Sequence, residues 1–417
     1  GRFSNTSGSR TSGSSITRCN NREMERRRFL TRTGAGLAGL TALAGCTGDG
    51  TTTESDGTDS SDSTASDTDT ETNSSSTTSE GTTTDEGTTT GSVAELSGTL
   101  NVATYTSFTG EDTAGNWLKS AFESEHPEVT VEFETPENGV NRYIQRQSQG
   151  ASIDADVFVG LNTGELVRVD EQLDDALFAS ASGQVAGSDS VKSSLQFDPD
   201  GRAIPYDTGY ISLVYDEGEV EEPATFDSLL EPGYENALIT ENAQQSDPGR
   251  AFLLWTIHNK GADGYLDYWT DLIDNGTQVL SDWSTAYQAY TDEEAPMVVS
   301  YSTDQVYYHG EGVDMSRHQV GFLNDQGYAN PEGMAQFAGT ENADLARAFM
   351  SFMLTEEAQA EIAVRNVQFP AVEGVESGGD FGEYALEPPE PVTFSYDELS
   401  GNVGGWIDEW ARQVASS

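Results

Sequence analysis

The side chains able to do covalent or acid–base chemistry are few or scattered in this 417-residue chain. The two cysteines, Cys19 and Cys46, both precede the part that reads as folded. Neither a disulfide framework nor a thiolate zinc site is therefore available there. The four histidines, His126, His258, His309 and His318, are far apart in sequence and read as surface or packing residues. Carboxylates are everywhere, with 71 Asp and Glu against 20 Lys and Arg. A Glu/Asp pair consequently carries no signal for glycosidase chemistry. No HExxH, GxSxG, P-loop or dinucleotide glycine fingerprint occurs, so neither an enzyme nor a cofactor is expected. What remains is chemistry for holding a small molecule. Ser246, beside Pro248-Gly249 at a predicted helix start, offers a hydroxyl and free backbone N–H groups that can receive an oxygen or a phosphate.

The elements that would position such groups begin near Leu96. Thr99–Tyr105 reads as a strand, and an amphipathic helix pattern follows around Trp117-Leu118 and Ala121-Phe122. His126-Pro127 ends that helix. Val129–Phe133 alternates as a second strand, Asn141–Gln149 reads as a helix, and Asp156–Val159 as a short buried strand. This β-α-β-α-β order predicts a parallel α/β layer. Tyr210–Tyr215 and Met297–Tyr301 are later strands. Ala251–Ile257, Tyr265–Leu272, Ala343–Met353 and Glu356–Val364 read as helices. No internal repeat is visible.

The first 95 residues have a different character. Met24 is the first methionine and the expected start; the preceding residues read as leader. Arg26-Arg27-x-Phe29-Leu30 resembles a twin-arginine export signal. The Gly/Ala/Leu run from Gly34 to Gly45 is too short for a bilayer-spanning helix but suits a signal h-region. It ends in Leu43-Ala44-Gly45-Cys46, which resembles a lipobox, so Cys46 is expected to carry a lipid anchor. Residues 1–46 thus read as leader and lipoprotein signal. Residues 47–95 read as a disordered Thr/Ser/Asp/Glu-rich tether without Lys, Arg or aromatics. Asn73-Ser74-Ser75 is a glycosylation sequon.

The formal net charge is −51, and only Lys119, Lys192 and Lys260 are lysines. Such a charge opposes compaction at ordinary salt. In molar salt the Debye length falls to roughly 3 Å, and the same charge is tolerated. A halophilic protein is expected. Nucleic acid, which would be repelled, is excluded as a partner.

An ordered set of short segments carries a family resemblance over most of residues 97–414. These are Val102–Phe108, Ala155–Leu161, Pro205–Tyr210, Ser246–Gly249 with Leu253-Leu254-Trp255, Trp283–Tyr287, Ser300–Thr303 and Trp406–Trp410. Together they resemble thiamine-binding, periplasmic-type solute-binding proteins of ABC transporters, within the group that also holds ferric-ion and polyamine binders. The resemblance implies an α/β, two-lobed periplasmic-binding-protein (type II) fold with crossover hinge strands. Lobe one is expected over about 97–210 and 318–372, and lobe two over about 211–317 and 373–417. The implied ligand is thiamine or a thiamine phosphate, held between the lobes by Tyr105, Ser246, Trp283, Tyr301 and Tyr307. Aromatic faces suit a flat, positively charged vitamin. The implied partners are the permease and ATPase subunits of an importer. A monomer on the extracellular face of the cell membrane is expected, held by its lipid anchor alone.

Two positions depart from the family pattern. Val367, in Asn366-Val367-Gln368-Phe369-Pro370, stands where the family has a tryptophan, and Asp112 falls near another lost tryptophan. Asp156, before the third strand, reads as structural or cleft-lining. Two other readings stay open. The adjacent Tyr307-Tyr308 resembles the tyrosine pair of ferric-binding relatives, whose phenolates are hard ligands for iron. The Thr-rich stalk by itself would also suit a surface-anchored structural or adhesion protein.

Overall fold

The computed structural model describes residues 96–310 and 312–415. The leader, the signal, the tether and Cys46 lie outside these residues. Among the described residues no helix is long and apolar enough to cross a membrane.

The chain opens with β1 (Gly98–Ala103), α1 (Ala114–Glu125), β2 (Val129–Glu134), α2 (Asn141–Ser148), β3 (Val157–Leu161) and α3 (Thr163–Gln172). Thr113 caps α1 by accepting the Asn116 N–H, and Leu118 and Phe122 one turn apart turn its apolar stripe inward. Asn162 and Glu165 close a reciprocal capping box at the start of α3. The strand expected at Tyr210–Tyr215 is the second half of β4 (Ala203–Tyr215), buried along all of its length.

A second run repeats the first in outline. It comprises β5 (Leu238–Glu241), α4 (Asp247–Lys260), α5 (Tyr265–Asp274), β6 (Gln278–Leu280), α6 (Trp283–Thr291), β7 (Met297–Tyr301) and α7 (Asp304–Tyr307). Next come β8 (Gln319–Gly321) and β9 (Gln326–Gln336), then α8 (Ala343–Met353), α9 (Glu356–Asn366) and β10 (Phe369–Pro370). The chain finishes with α10 (Gly379–Tyr384), β11 (Glu390–Val392), α11 (Tyr396–Leu399) and α12 (Val403–Val414).

One curled sheet joins the two runs in the order β2-β1-β3-β9-β4-β7-β5-β6. β1 is parallel to β2 and β3, and β5 is parallel to β6 and β7. Between these parallel trios, β9 runs antiparallel to β3, β4 antiparallel to β7, and the two are antiparallel to each other. Each trio has its own apolar core. The first packs Leu100, Val102, Leu118 and Phe122 against Phe349 and Met353 of α8. The second packs Leu213, Phe252, Trp255, Trp269 and Val299. Each such fully buried side chain contributes roughly 1.5–3 kcal/mol. Trp410 of α12 closes the second core edge-on against Trp269, with ring centroids 5.3 Å apart. β4 passes from the first core at Tyr206 to the second at Ile211. β9 passes from the second at Tyr328 to the first at Met334. The two strands are therefore the crossovers between the halves, and Leu323 still belongs to the second core.

No strand was expected at β9, because Pro331 and its glycines break the alternating pattern. Pro331 is accommodated by the pairing. β9 meets β11 only at Gln326–Tyr328 and β3 only at Gly333–Gln336. On that edge no strand faces Pro331, so its missing N–H forfeits no ladder bond.

Candidate functional site

The residues at the ends of β1 and β7 meet the crossovers, and α/β proteins place ligand groups at such strand ends. β1 ends two residues before Tyr105. Gly160 of β3 lies at φ +103°, and a Cβ there would stand 2.6 Å from the Tyr105 ring. Glycine is what lets this ring lie on β3. Tyr301 ends β7, and its ring occupies the space a Cβ on Gly209 of β4 would need, at 2.7 Å.

Between these rings lie two carboxylates from the crossovers. Asp207 of β4 is the cross-strand partner of Glu332 of β9. A register shift between Pro205 and Asp207 makes Tyr206 a bulge. The bulge turns the Tyr206 phenol toward the same carboxylate that Asp207 faces. The phenols of Tyr206 and Tyr105 donate to Glu332 Oε2 at 2.6 and 2.9 Å. The Asn366 amide donates to Asp207 Oδ2 at 2.7 Å and to the Tyr105 hydroxyl at 3.0 Å. Burial and then the Glu332 charge push the Asp207 carboxyl well above its ordinary range. Burial also raises Glu332, against the two phenol hydrogen bonds that lower it. The phenols of Tyr105 and Tyr301 are both driven up, by burial first and then by nearby carboxylates that include Glu332 and Asp207. Glu241, the last residue of β5, is wholly buried, and its carboxyl is raised well above normal by burial.

The five residues expected to bind ligand are thus not all in one place. Tyr105 and Tyr301 share the field of the acid pair. Ser246 is buried at the N-cap of α4, and its hydroxyl accepts the Gly249 N–H at 3.4 Å. Trp283 starts α6 and packs on the other face of the second trio, beside Tyr287, with its indole N–H donating to Ser300 Oγ at 3.0 Å. Tyr307 packs with Val306, Ala363, Val367, Phe369 and Phe381, a small cluster shared by α7, α9 and α10. Its neighbour Tyr308 stacks on His318 at 4.3 Å, while His309 pairs with Asp380 at 3.3 Å. Among the described residues no three His, Cys, Asp or Glu side chains gather as a metal set.

Asp156 is structural. It accepts the backbone N–H of Asn101 at 2.8 Å, the Thr340 hydroxyl at 2.5 Å and the Asn342 amide at 3.2 Å. Val367 ends α9 in the left-handed region, φ 56°, which is rare for a β-branched residue. That turn carries Asn366 and Gln368 toward β4, where Gln368 Oε1 closes on Gly209.

Beside the unpaired edge of β9, the starts of α3 and α4 face one another across a cleft lined by Asn162, Thr163, Asp247, Arg250, Asn330 and Pro331. Arg250 pairs with Asp247 at 2.9 Å and Arg168 with Glu165 at 3.7 Å. Burial, then the facing Asp247 charge, pushes the Glu165 carboxyl up to about 7.

Sequence reasoning did not single out Asp207, Glu332 or Asn366, which the structure brings beside Tyr105. In a chain this acidic another carboxylate stands out only by lying inside an apolar strand, as Asp207 does.

The model of the family described as bacterial extracellular solute-binding protein matches residues 117–387. The thiamine-binding periplasmic protein of Escherichia coli (strain K12) is 28% identical over 317 residues, covering 76% of this chain and 93% of that protein. That of Brucella suis biovar 1 is 27% identical over 321 residues, covering 76% and 92%. A solved periplasmic thiamin binding protein superposes with a TM-score of 0.65 at 27% identity, covering 77% of this chain and 98% of the other. Two α/β halves joined by antiparallel crossovers are the type II periplasmic-binding-protein fold, and the chain belongs to the bacterial extracellular solute-binding protein family.

Proposed function

We propose that this protein is the solute-capturing component of an ABC importer and that it holds thiamine or a thiamine phosphate between its two halves. The observation that carries this reading is the placement of Tyr105 and Tyr301 beside buried carboxylates at the crossovers. Flat rings over a positive ring contribute roughly 0.5–2 kcal/mol each when partly desolvated. The thiamine-binding relatives match over the same region. Trp283, which packs on the other face of the second trio, and Tyr307, in the cluster of α7, α9 and α10, lie outside this ring pair. Ser246 brings the α4 N-terminus toward a phosphate. Capture, not turnover, is the role of such a site. Ligand bridging the halves shifts an open–closed equilibrium by its differential affinity for the two states.

The rest of the reading concerns placement. Lobe one comprises residues from about 97 to the β4 crossing and from the β9 crossing to about 372; lobe two comprises the remainder. The protein is a halophilic monomer, exported by the twin-arginine route and held at the outer face of the membrane by a lipid on Cys46. Calorimetry of the full chain in molar KCl, titrated with thiamine and its monophosphate, tests the ligand. Saturable heat at micromolar or tighter affinity is expected. No heat with either compound would remove thiamine from the reading.

A further inference from the structure

The acid pair of the crossovers has hydrogen bonds but no counter-ion. Among the described residues no Lys, Arg or His pairs with Asp207 or Glu332, although every described arginine except Arg412 has an acid partner elsewhere. Asp207 is wholly buried, and its Oδ1 has no hydrogen-bond partner among the described residues. Neither oxygen of the buried Glu241 has one either. A buried carboxylate oxygen without a donor is costly, and native proteins keep few of them. The aromatic neighbours Tyr105 and Tyr301 make the surroundings fit for a flat organic cation and poor for a hydrated metal ion.

We propose that Asp207 and Glu332, the acid pair of the crossovers, are the charge-selecting residues and that they take up the positive ring of the bound organic cation. The proposal rests on the thiamine reading above. The two acids have different parts. Glu332 receives two phenol hydrogen bonds, which favour its ionised form. Asp207 receives one amide hydrogen bond and faces the Glu332 charge, and burial together with that charge favours its protonated form. The groups around the pair are Tyr105, Tyr206, Tyr301, Asn366, Asp247 and Glu241, none of them a cation. An arriving cation favours the ionised form of Asp207, so the proton leaves to solvent as the ligand enters. Affinity therefore rises with pH until Asp207 is ionised in the free protein.

Calorimetry of the full chain in molar KCl at pH 7, in phosphate and in Tris, tests this with two probes. One is thiamine; the other is thiochrome, its uncharged fused-ring oxidation product. The buffer dependence of the heat counts protons. The expected result is release of up to about one proton with thiamine and none with thiochrome. Asp207→Asn and Glu332→Gln, with unchanged circular dichroism, should lose thiamine affinity by about tenfold or more and keep thiochrome binding within about threefold. Tight thiamine binding with no proton release in the unmodified protein overturns the exchange, without recourse to any variant. Folded variants that bind thiamine as the parent does overturn the selection while leaving the thiamine reading intact. A parent that binds no thiamine overturns both.

Discussion

Tyr301 lies half-buried against the bare backbone of Gly209, beside Asp207. In the proposed function its ring covers one face of the cation. Tyr301→Ala removes the ring and its contact with β4, and it should weaken thiamine binding at least about tenfold, on the order of 1.4 kcal/mol. Tyr301→Phe, which keeps the ring, should stay within about threefold of the parent. Calorimetry in molar KCl checks both, and equal losses in the two variants would assign the effect to the hydroxyl instead. At this scale the sequence drew attention to rings and not to acids. Tyr105 and Tyr301 could be singled out because each ends a strand of recognisable pattern. Asp207 and Glu332 could not, because their meaning lies in a pairing across the two crossovers and the chain is full of similar residues. The one local signal was an acid within thirteen consecutive buried residues, Ala203–Tyr215, where an ionisable side chain is unusual.

Elements decide whether those rings can be where they are. Gly160 holds a backbone angle open only to glycine while making room for Tyr105. Gly160→Ala adds both strain and a clash, so it should cost about 1–3 kcal/mol in urea denaturation and also weaken ligand binding. Gly150→Ala is the control: its φ is +66° and nothing lies within 4 Å of an added Cβ, so it should cost some stability and leave affinity unchanged. The facing helix starts give a second expectation. The Glu165 carboxyl sits at about 7 in the folded state, against about 4.3 in an unfolded chain. A raised carboxyl stabilises fully below the unfolded value and loses that contribution as pH rises through the folded one. The denaturation midpoint of the ligand-free protein should therefore fall as pH rises from about 4.3 to about 7. Glu165→Gln, which keeps the capping box, should flatten that fall in a pH series of urea melts. Most elements were legible in the sequence because helices α1, α5 and α8 have clear apolar stripes and β1, β2 and β7 clear runs. β9 was not, since the sequence cannot show which edge of a strand goes unpaired and hence where Pro331 is harmless. Nor was the kinship of the two halves visible, because a shared strand order needs only similar patterning, not similar residues.

The whole molecule carries a net charge of −51 with 20 basic residues to offset it. The described arginines are mostly spent in local pairs. Arg202, for example, ties Asp170 of α3 to Asp198 at 2.7 and 3.0 Å, and Arg317 bridges Asp216 and Glu293 at 3.2 Å each. These pairs fix particular elements and leave the general surplus of exposed carboxylates unopposed. At about 0.15 M salt the Debye length is ~8 Å, long enough for neighbouring surface acids to repel. At 1 M it is ~3 Å, and that repulsion is largely gone. The folded state, which brings the acids closest together, gains most from screening. The thermal midpoint should rise steeply with KCl up to about 1 M, and near-UV circular dichroism should be lost on dialysis into millimolar salt. The shape of the curve identifies the cause. Charge screening is nearly complete by 1 M, so a midpoint governed by it climbs and then levels, equally in KCl and NaCl. Sulfate strengthens apolar burial by exclusion from the surface and keeps doing so at higher concentration. A midpoint that levels in KCl but climbs on in ammonium sulfate separates the two effects. A cooperative native signal retained in millimolar salt would mean that the halves hold together against their own charge, through the two apolar cores and the crossovers alone.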